Sequence, residues 1–296
     1  MLGSPKTLVL PGYQVMQYLG SGAKSTIWSI RELRTGTLCV LKRVVRQHPS
    51  DDRFLAQAEN EHAVASQLNH PSIRKCRQII RCRRWLRVRE IRLILEYCPG
   101  LSVQQERPVD LPKVLDIFIH VADALNYMHR SGFLHTDMKP NNIIVAPDGL
   151  VKVIDLGHSC QVGAVKDRIQ GTPDFIAPEQ VHRRPLDART DVFNFGASLY
   201  WTLTGQAINT VIPKRSDSIL LKSELDLKPV TELNPQAPPA LASLVADCVA
   251  FNPAQRPVSM QPVQTKLEMI RKQIRRKTEG APEEGPAGPR PPQEPR

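Results

Sequence analysis

A short polar segment in the middle of the chain carries three side chains that could act together. Asp137, Lys139 and Asn142 lie close to one another between an apolar, helix-like run and a β-prone run. An acid, a cation and an amide at this spacing can deprotonate a hydroxyl, neutralise a phosphate and hold a metal ion. A loop closed by a Pro-Asn turn is the alternative interpretation of the same segment.

A further carboxylate, Asp155, follows the apolar run of residues 151–154 and precedes Leu156 and Gly157. A carboxylate that emerges at the end of a predicted strand is well placed to bind a hard cation such as Mg²⁺. The pattern therefore predicts a metal ligand at this position.

The N-terminal part contains a glycine loop and an isolated lysine. Gly20 and Gly22 lie between two β-prone runs, where glycine lets a backbone approach phosphate oxygens closely, although two glycines also mark ordinary turns. Lys42 stands among apolar residues at the end of the next β-prone run and requires an acidic partner there. The helical pattern that follows offers Glu59 and Glu61, and the spacing to residues 68–71 favours Glu61.

Hydrophobic periodicity predicts the elements that position these residues. A small β-rich lobe precedes a larger helical lobe and joins it near residues 96–100, so we expect an α+β fold with two lobes. The predicted strands cover residues 13–19, 26–32, 37–45, 76–82 and 88–97, and the predicted helices cover 51–68, a long run from 111 onward, 187–203, 238–250 and 259–276.

The composition restricts the class of protein. A chain of 296 residues with 41% hydrophobic residues is long enough to bury a substantial core. No apolar run reaches the length that a membrane-spanning helix needs, so we expect no transmembrane segment. The six cysteines are scattered without CxxC pairs, which argues against a zinc site or a disulfide framework and favours a reducing compartment. We therefore expect a cytoplasmic protein.

Positive charge is concentrated in two runs. Nine lysines and arginines between residues 74 and 92 are opposed only by Glu90, and a second basic run covers residues 271–277. Such runs can attract acidic partners, nucleic acid or an anionic membrane, and the alternative is a solvated strand edge and helix end. Because the first run has one aromatic residue, Trp85, and no interleaved stacking pattern, nucleic acid is not an expected partner. Binding of an acidic partner at this run remains an open interpretation.

Taken together, these motifs resemble the signature set of the eukaryotic-type protein kinases, and the resemblance covers nearly the whole chain. It implies an ATP-dependent kinase acting on serine and threonine of protein substrates, and the short chain looks more like bacterial members than animal ones. The motifs occur in the family's order: the glycine loop, Lys42, Glu61, HTDMKPNN (135–142), DLG (155–157), GTPDFIAPE (171–179), Asp191 and Arg256.

The resemblance implies roles for the residues that carry the chemistry. Lys42 would hold the α- and β-phosphates of ATP and pair with Glu61. Asp137 would orient the substrate hydroxyl and accept its proton, and Lys139 would lie near the transferred phosphoryl group. These four residues are the expected catalytic set.

The same resemblance implies the cofactors. Asn142 and Asp155 would bind Mg²⁺, with Mn²⁺ as an alternative. Backbone groups of Glu96 and Cys98 would bond to the adenine, and Leu95 would be the gatekeeper. Together with Lys42, the residues expected to contact ATP are Leu19, Gly20, Ser21, Gly22, Ala23, Ser25, Ile27, Val40, Leu95, Glu96, Cys98 and Ile144.

Other motif residues would hold the shape of the site. Thr172 would contact Asp137, and Glu179 would form a buried ion pair with Arg256. Asp191 matches a late motif of the family and is expected to be structural.

The chain departs from the common pattern in ways that remove no chemical group. Thr136 is the most informative, because regulated members carry an arginine there that receives a phosphate from the activation loop. The loop of residues 158–170 offers only Ser159 as a hydroxyl, so we expect activity without loop phosphorylation. The other departures are Ser25 for the third loop glycine, Leu156 for phenylalanine and Val40 for alanine.

Two other functions stay open on the sequence alone. A pseudokinase would bind nucleotide without turnover, and a small-molecule phosphotransferase would usually lack the GTP-x-x-x-APE segment. The expected organisation is an N-terminal extension (1–12), a catalytic domain (13–270, with an N-lobe at 13–95, a hinge at 96–100 and a C-lobe at 101–270) and a basic, then proline-rich disordered tail (271–296).

Overall fold

A computed structural model describes residues 8–22, 24–208 and 227–279. An antiparallel five-stranded sheet forms the first lobe and a mostly helical region forms the second, which is the expected two-lobed α+β fold. The first lobe contains β1 (Tyr13–Gly22), β2 (Ser25–Glu32), β3 (Leu38–Val45), α1 (Asp52–Ala65), β4 (Cys76–Arg84) and β5 (Arg87–Glu96).

The second lobe begins after the hinge and is built around two long helices. Its elements are β6 (Leu101–Ser102), α2 (Leu111–Arg130), β7 (Phe133–Leu134), β8 (Ile143–Val145), β9 (Val151–Val153), β10 (Cys160–Gln161), α3 (Pro178–Val181), α4 (Ala188–Thr204), α5 (Val230–Leu233), α6 (Pro239–Cys248) and α7 (Met260–Glu279).

Strand β3 shows how the sheet separates its two faces. The sheet order is β1-β2-β3-β5-β4, so β3 lies in the middle and both of its edges are paired. Side chains alternate along a strand: Val40 and Val44 pack in the cluster beneath α1, whereas Cys39 and Leu41 pack in the cluster on the opposite face. Lys42 shares the face of Val40 and Val44, and this alternation directs it into the space between the lobes.

The core of the second lobe lies between α2 and α4. Helix α2 is strongly amphipathic, and Phe118 on its buried face packs edge-to-face against Phe195 of α4, with ring centroids 5.3 Å apart. Such aromatic pairs stabilise a core beyond the area that they bury. Both rings are fully buried, so the helices provide a rigid base for the loops above them.

Helix α7 lies antiparallel along α2. Asn126 Nδ2 donates to Gln261 Oε1 at 2.9 Å at one end, and Arg271 Nη1 lies 2.7 Å from Asp116 Oδ1 towards the other. Ile274 packs against the same core. The first part of the basic run thus belongs to this helix and is folded against α2.

The residues just before β1, which the sequence assigned to an N-terminal extension, contact the sheet. Leu10 is buried in the cluster formed by Trp28 and Ile94, and the carbonyl of Val9 accepts a hydrogen bond from Arg92 Nη1 at 3.0 Å. Residues 8–12 therefore pack on the sheet. No helix within residues 8–22, 24–208 and 227–279 combines the length and the apolar character that crossing a membrane requires.

Helix α1 is shorter than the predicted helix 51–68. Residues Pro49–Asp51 form a 3-10 turn, because Asp51 Oδ2 accepts hydrogen bonds from the backbone amides of Gln47 and His48, at 3.0 and 2.8 Å. The α-helix consequently begins at Asp52 and ends at Ala65. The proline-rich part of the tail, residues 280–296, lies outside the described residues.

Candidate active site

Lys42 lies between two carboxylates. Its Nζ atom is 2.6 Å from Glu61 Oε2 on α1 and 2.9 Å from Asp155 Oδ1 after β9. Burial alone would lower the pKa of the lysine, but the charges of Asp155 and Glu61 raise it above its usual value. Burial likewise opposes ionisation of Asp155, yet Lys42 holds the pKa of that carboxyl well below its usual range. Lys42 and Asp155 therefore stabilise each other's charged forms, and Lys42 contacts Glu61, the acidic partner that its spacing favoured.

The backbone at Asp155 aims its carboxylate into the cleft. Asp155 has φ 65° and ψ 71°, a left-handed conformation that is uncommon outside glycine and that is found at functional sites. Helix α1 holds the following turn, since Asn60 Nδ2 donates to the carbonyls of Gly157 and Ser159, at 3.1 and 2.8 Å. Leu156 is buried beneath this turn in the core, as expected for a leucine that replaces phenylalanine.

Asp137 is the centre of a second group. Its Oδ2 accepts from Lys139 Nζ at 2.9 Å, and its Oδ1 accepts from Thr172 Oγ1, also at 2.9 Å. Lys139 Nζ donates in turn to Thr172 Oγ1 at 2.7 Å, so the three side chains form a closed triangle. Asn142 Nδ2 donates to the carbonyl of Asp137 at 2.9 Å, and among the described residues the amide oxygen of Asn142 accepts no hydrogen bond.

The fully buried Asp191 of α4 fixes the chain just before Asp137. Its oxygens accept from the backbone amides of His135 and Thr136, at 2.8 and 2.7 Å, and from the ring of His129 at 2.8 Å. Burial opposes its charge, but His129 and the amide donors lower the pKa of Asp191 overall. The predicted structural residue therefore acts as the acceptor that shapes the catalytic loop.

Glu179 and Arg256 form the expected buried ion pair. Two parallel hydrogen bonds join them, Nη1 to Oε1 at 2.7 Å and Nη2 to Oε2 at 3.0 Å. Thr190 Oγ1 adds a third bond to Glu179 at 2.9 Å, and Arg256 also donates to the carbonyls of Ala250 and Arg189. A bidentate pair with every remaining donor satisfied holds the segment after Thr172 on the helical lobe.

Lys42, Asp155 and the triangle of Asp137, Lys139 and Thr172 line one cleft of about 560 Å³ between the lobes. The predicted residues that line it are Leu19, Gly20, Ser21, Gly22, Ser25, Ile27, Lys42, Asp137, Lys139, Asn142, Asp155 and Thr172.

Several predicted adenine contacts do not line this part of the cleft. Val40 and Leu95 are paired across β3 and β5, and both are buried. The backbone amide of Glu96 donates to the carbonyl of Lys75, and its side-chain Oε1 lies 2.8 Å from Lys152 Nζ. Of the remaining predicted adenine contacts, Cys98 and Ile144 also lie outside the lining of this cleft, and Ala23 falls outside the described residues.

The activation segment is held from within. Thr136 Oγ1 and Lys166 Nζ both donate to the carbonyl of His158, at 2.7 and 2.6 Å, and strand β10 pairs with β7. Ser159, the hydroxyl that the sequence singled out in this loop, is 3% exposed. Phosphorylation of this hydroxyl in trans would require the segment to open first.

Sequence reasoning missed Arg74, which it had placed in the surface run. Arg74 lines the cleft, its Nη2 atom lies 3.2 Å from Glu61 Oε1, and its side chain is 13% exposed. Its backbone amide donates to the carbonyl of Val153 at 3.0 Å, which ties it to the strand that leads to Asp155. The sequence offered one signal of a different position for Arg74. It follows the apolar Ile73 and precedes β4, whereas the other arginines of the run lie on the hairpin beyond it.

The oxygen atoms at the mouth of the cleft that could act as metal ligands fit a hard divalent cation. One oxygen of Asp155 is bound by Lys42, and Oδ2 has no protein donor within the described part of the chain. The carboxylate side chain is 37% exposed, which leaves room for a ligand. A carboxylate and a nearby amide oxygen, with no sulfur or imidazole among them, are ligands that Mg²⁺ and Mn²⁺ accept.

Comparison with known proteins agrees with this geometry. A serine/threonine-protein kinase of Myxococcus xanthus, pkn3, is 30% identical over 89% of this chain and 51% of its own length. PknA of Mycobacterium tuberculosis is 26% identical over 82% of the chain and 58% of its own length. A mouse sperm motility kinase, 2B, is 30% identical over 66% of the chain and 40% of its own length.

The chain thus spans about half the length of the curated relatives it matches. The family model described as the protein kinase domain matches residues 13–267, which is most of the described sequence. Members of this family use ATP and a divalent metal ion. The match covers both lobes and every charged group of the cleft, so the chain belongs to the protein kinase family.

Proposed function

We propose that this protein is a serine/threonine protein kinase that transfers the γ-phosphoryl group of ATP to protein hydroxyls, with Mg²⁺ as its metal. The observation that carries the proposal is the convergence of two charged groups on one cleft. Lys42 with its two carboxylates lies on one side, and the triangle of Asp137, Lys139 and Thr172 lies on the other.

The chain's own residues would act on the two reactants as follows. Lys42 neutralises the charge of the ATP phosphates, and Glu61 and Asp155 fix the position of its ammonium group. Asp137 accepts a hydrogen bond from the incoming hydroxyl and removes its proton, while Lys139 balances the charge that develops beside it. Mg²⁺, when held by Asn142 and Asp155, would neutralise the β- and γ-phosphates.

Thr172 supports serine and threonine as the acceptors. It lies in the segment of residues 171–179, which resembles that of serine/threonine kinases, and its hydroxyl bonds to Asp137 and Lys139. The pseudokinase alternative is not favoured, because each of the four groups that it would lack is present with a partner at hydrogen-bond distance. Unpaired cysteines suit a cytoplasmic setting, which we propose for the chain.

Replacement of Asp137 tests the proposed activity. Wild type should label a generic basic protein from radioactive ATP, and Asp137→Asn should lower kcat about 10²–10⁴-fold, the usual contribution of a general base. Lys42→Met should be similarly inactive, because it removes the cation on the phosphates, and both variants should unfold at the wild-type temperature. If Asp137→Asn retained most of the wild-type kcat, Asp137 would not have this role.

A further inference from the structure

The β4–β5 hairpin ends in an apolar tip that the catalytic site does not use. Arg84 and Arg87 lie opposite each other across the two strands, and the two-residue loop of Trp85 and Leu86 joins them. The side chains of Trp85 and Leu86 are 91% and 97% exposed. A tryptophan and a leucine side by side on an outward turn leave apolar surface in water that a partner can cover.

The conformation of the tip does not favour folding. Trp85 has φ 58°, a left-handed conformation that glycine adopts freely and that is an outlier for a bulky residue. The cross-strand pair that closes the loop, Arg84 and Arg87, has like charges directly opposite each other, which destabilises a sheet. Two unfavourable features at one point indicate that the tip is retained for a contact rather than for stability.

Unpaired arginines surround the tip on both strands. Within the described residues, the exposed Arg83, Arg84, Arg87 and Arg89 form no ion pair. Asp52 on α1, whose charge interacts with Arg87 and Arg89, is itself bound by Arg46. Three other arginines of the run are paired with acids: Arg74 with Glu61, Arg81 with Glu59, and Arg92 with Glu90.

We propose that this hairpin tip anchors the protein to an anionic phospholipid surface, with Trp85 and Leu86 in the interface and the four arginines at the headgroup phosphates. Tryptophan concentrates at membrane interfaces because its ring is amphipathic, and arginines near an anionic leaflet are attracted to it. A strand rises about 3.3 Å per residue, so the loop reaches several ångströms beyond the arginine pair. That reach suits the depth of about 5–10 Å at which apolar groups of interfacial segments lie.

The shape and composition of the tip favour a lipid surface over other anionic partners. Single-stranded nucleic acid is bound in grooves with successive aromatic residues, whereas this tip is a projecting turn with one aromatic residue. Leu86 gains nothing from stacking on bases, but it gains from burial among acyl chains. An acidic protein would match the arginines and leave the adjoining apolar pair unexplained.

Vesicle binding by the full chain tests the proposal. Phosphatidylcholine vesicles with phosphatidylserine should bind the protein, and vesicles without phosphatidylserine should bind it far more weakly. Tryptophan fluorescence should shift to the blue on binding, and lipids brominated in the upper acyl chain should quench it. Trp85 is the tryptophan expected to report binding, because Trp28 is 7% exposed and buried in the sheet and Trp201 is partly buried against the core of the second lobe. Trp85→Phe should abolish the shift while retaining binding.

Variants separate membrane contact from folding. Trp85→Gly removes the apolar group and suits the left-handed backbone, so it should keep or raise the unfolding temperature while it weakens vesicle binding at least tenfold. The pair Arg84→Gln and Arg87→Gln should weaken binding on the order of 25-fold, about fivefold for each charge. The matched controls are the exposed Arg34→Gln with Arg184→Gln, and Leu33→Ser, which should bind like wild type.

The outcomes are distinct, and none depends on catalysis. Binding that needs phosphatidylserine and is lost in Trp85→Gly and in the double arginine variant supports the anchor. Absence of binding to phosphatidylserine vesicles overturns it, as does binding that Trp85→Gly leaves unchanged. Binding to a homopolymeric RNA or to polyglutamate that depends on the same arginines, without vesicle binding, would instead assign the tip to that partner. Phosphorylation of a soluble peptide should be equal in all variants.

Discussion

At the scale of single residues, the site depends on charged side chains that each contact more than one partner. Lys42 is bound by Glu61 and Asp155, and Glu61 is bound by Lys42 and Arg74. If Lys42 and Asp155 bound the nucleotide and its metal, Arg74 would keep Glu61 paired, because it already lies 3.2 Å from Glu61 Oε1. An unpaired buried carboxylate would be costly, so we expect Arg74 to keep α1 in its working position.

Replacement of Arg74 should therefore impair catalysis. Arg74→Met should lower kcat/KM about tenfold or more, since it removes a hydrogen bond to a buried charge, whereas Arg74→Lys should restore part of the loss. The control is Arg77→Met, which removes an exposed arginine nearby. Steady-state kinetics in the Glu61→Gln background gives the decisive comparison. There Arg74→Met should have little further effect, and an equal loss in both backgrounds would show that Arg74 does not act through Glu61.

A second residue-scale prediction concerns Val40. It lies on the cleft face of β3 and is 6% exposed, so it fills space in which the common pattern has alanine. Val40→Ala should tighten binding of a bulky adenine-mimetic inhibitor about fivefold or more, because close-packed sites tolerate extra methyl groups poorly. Calorimetric dissociation constants for several inhibitors would measure the change. Val121→Ala, in the core of α2, controls for general loosening, and unchanged constants would place Val40 away from the adenine.

At the scale of elements, helix α7 carries the second basic run of the sequence and packs along α2. Composition marks residues 271–277 as a basic run, and only the packing shows that Arg271 and Arg275 approach Asp116 on α2. Ile274 lies on the same side of the helix and packs against the core. The last turns of α7 therefore stabilise α2, on which the catalytic loop rests.

Two truncations test this role of α7. Removal of residues 280–296 should leave peptide phosphorylation and the unfolding temperature unchanged, since the helix remains complete. Removal from residue 271 onward should lower the unfolding free energy by about 1–3 kcal/mol, because it exposes the apolar surface covered by Ile274 and leaves Asp116 without its arginines. Chemical denaturation of the two proteins measures the difference. Equal stabilities would mean that the last turns contribute nothing.

The activation segment is the other element whose behaviour follows from its contacts. Its hydrogen bonds to the carbonyl of His158 come from Thr136 and Lys166, and neither requires a modification. In regulated kinases, an arginine and a phosphate form the charged contact that orders this region. Here a neutral carbonyl is the acceptor, which a threonine hydroxyl and a lysine satisfy together.

At the scale of the whole molecule, the sequence predicted the order of the elements and the charged groups of the cleft. Motif order located Lys42, Asp137 and Asp155, because their spacing along the chain is fixed by the strands and loops that carry them. The position of the Arg74 side chain in the cleft and the burial of Ser159 could not be predicted in this way. Both depend on which distant side chains the folded lobes bring together, and neither periodicity nor composition records that.

The hydrogen bonds that hold the site between the two lobes need no modification of the chain. Helix α1 holds the turn after Asp155 through Asn60, and Asp191 holds the catalytic loop from beneath. The central claim is therefore that this fold assembles a working catalytic site without a phosphate on the activation segment. Ser159, the only hydroxyl between residues 158 and 170, is buried and unneeded in this account.

One measurement tests that claim most directly. The purified protein is treated with phosphatase, mass spectrometry confirms that residues 158–170 carry no phosphate, and the initial rate of peptide phosphorylation is measured beside that of Ser159→Ala. We predict that the bare wild type and Ser159→Ala both phosphorylate the peptide at the rate of the untreated protein. Loss of most of the activity in both, with recovery when Ser159 of the wild type is phosphorylated, would contradict the account.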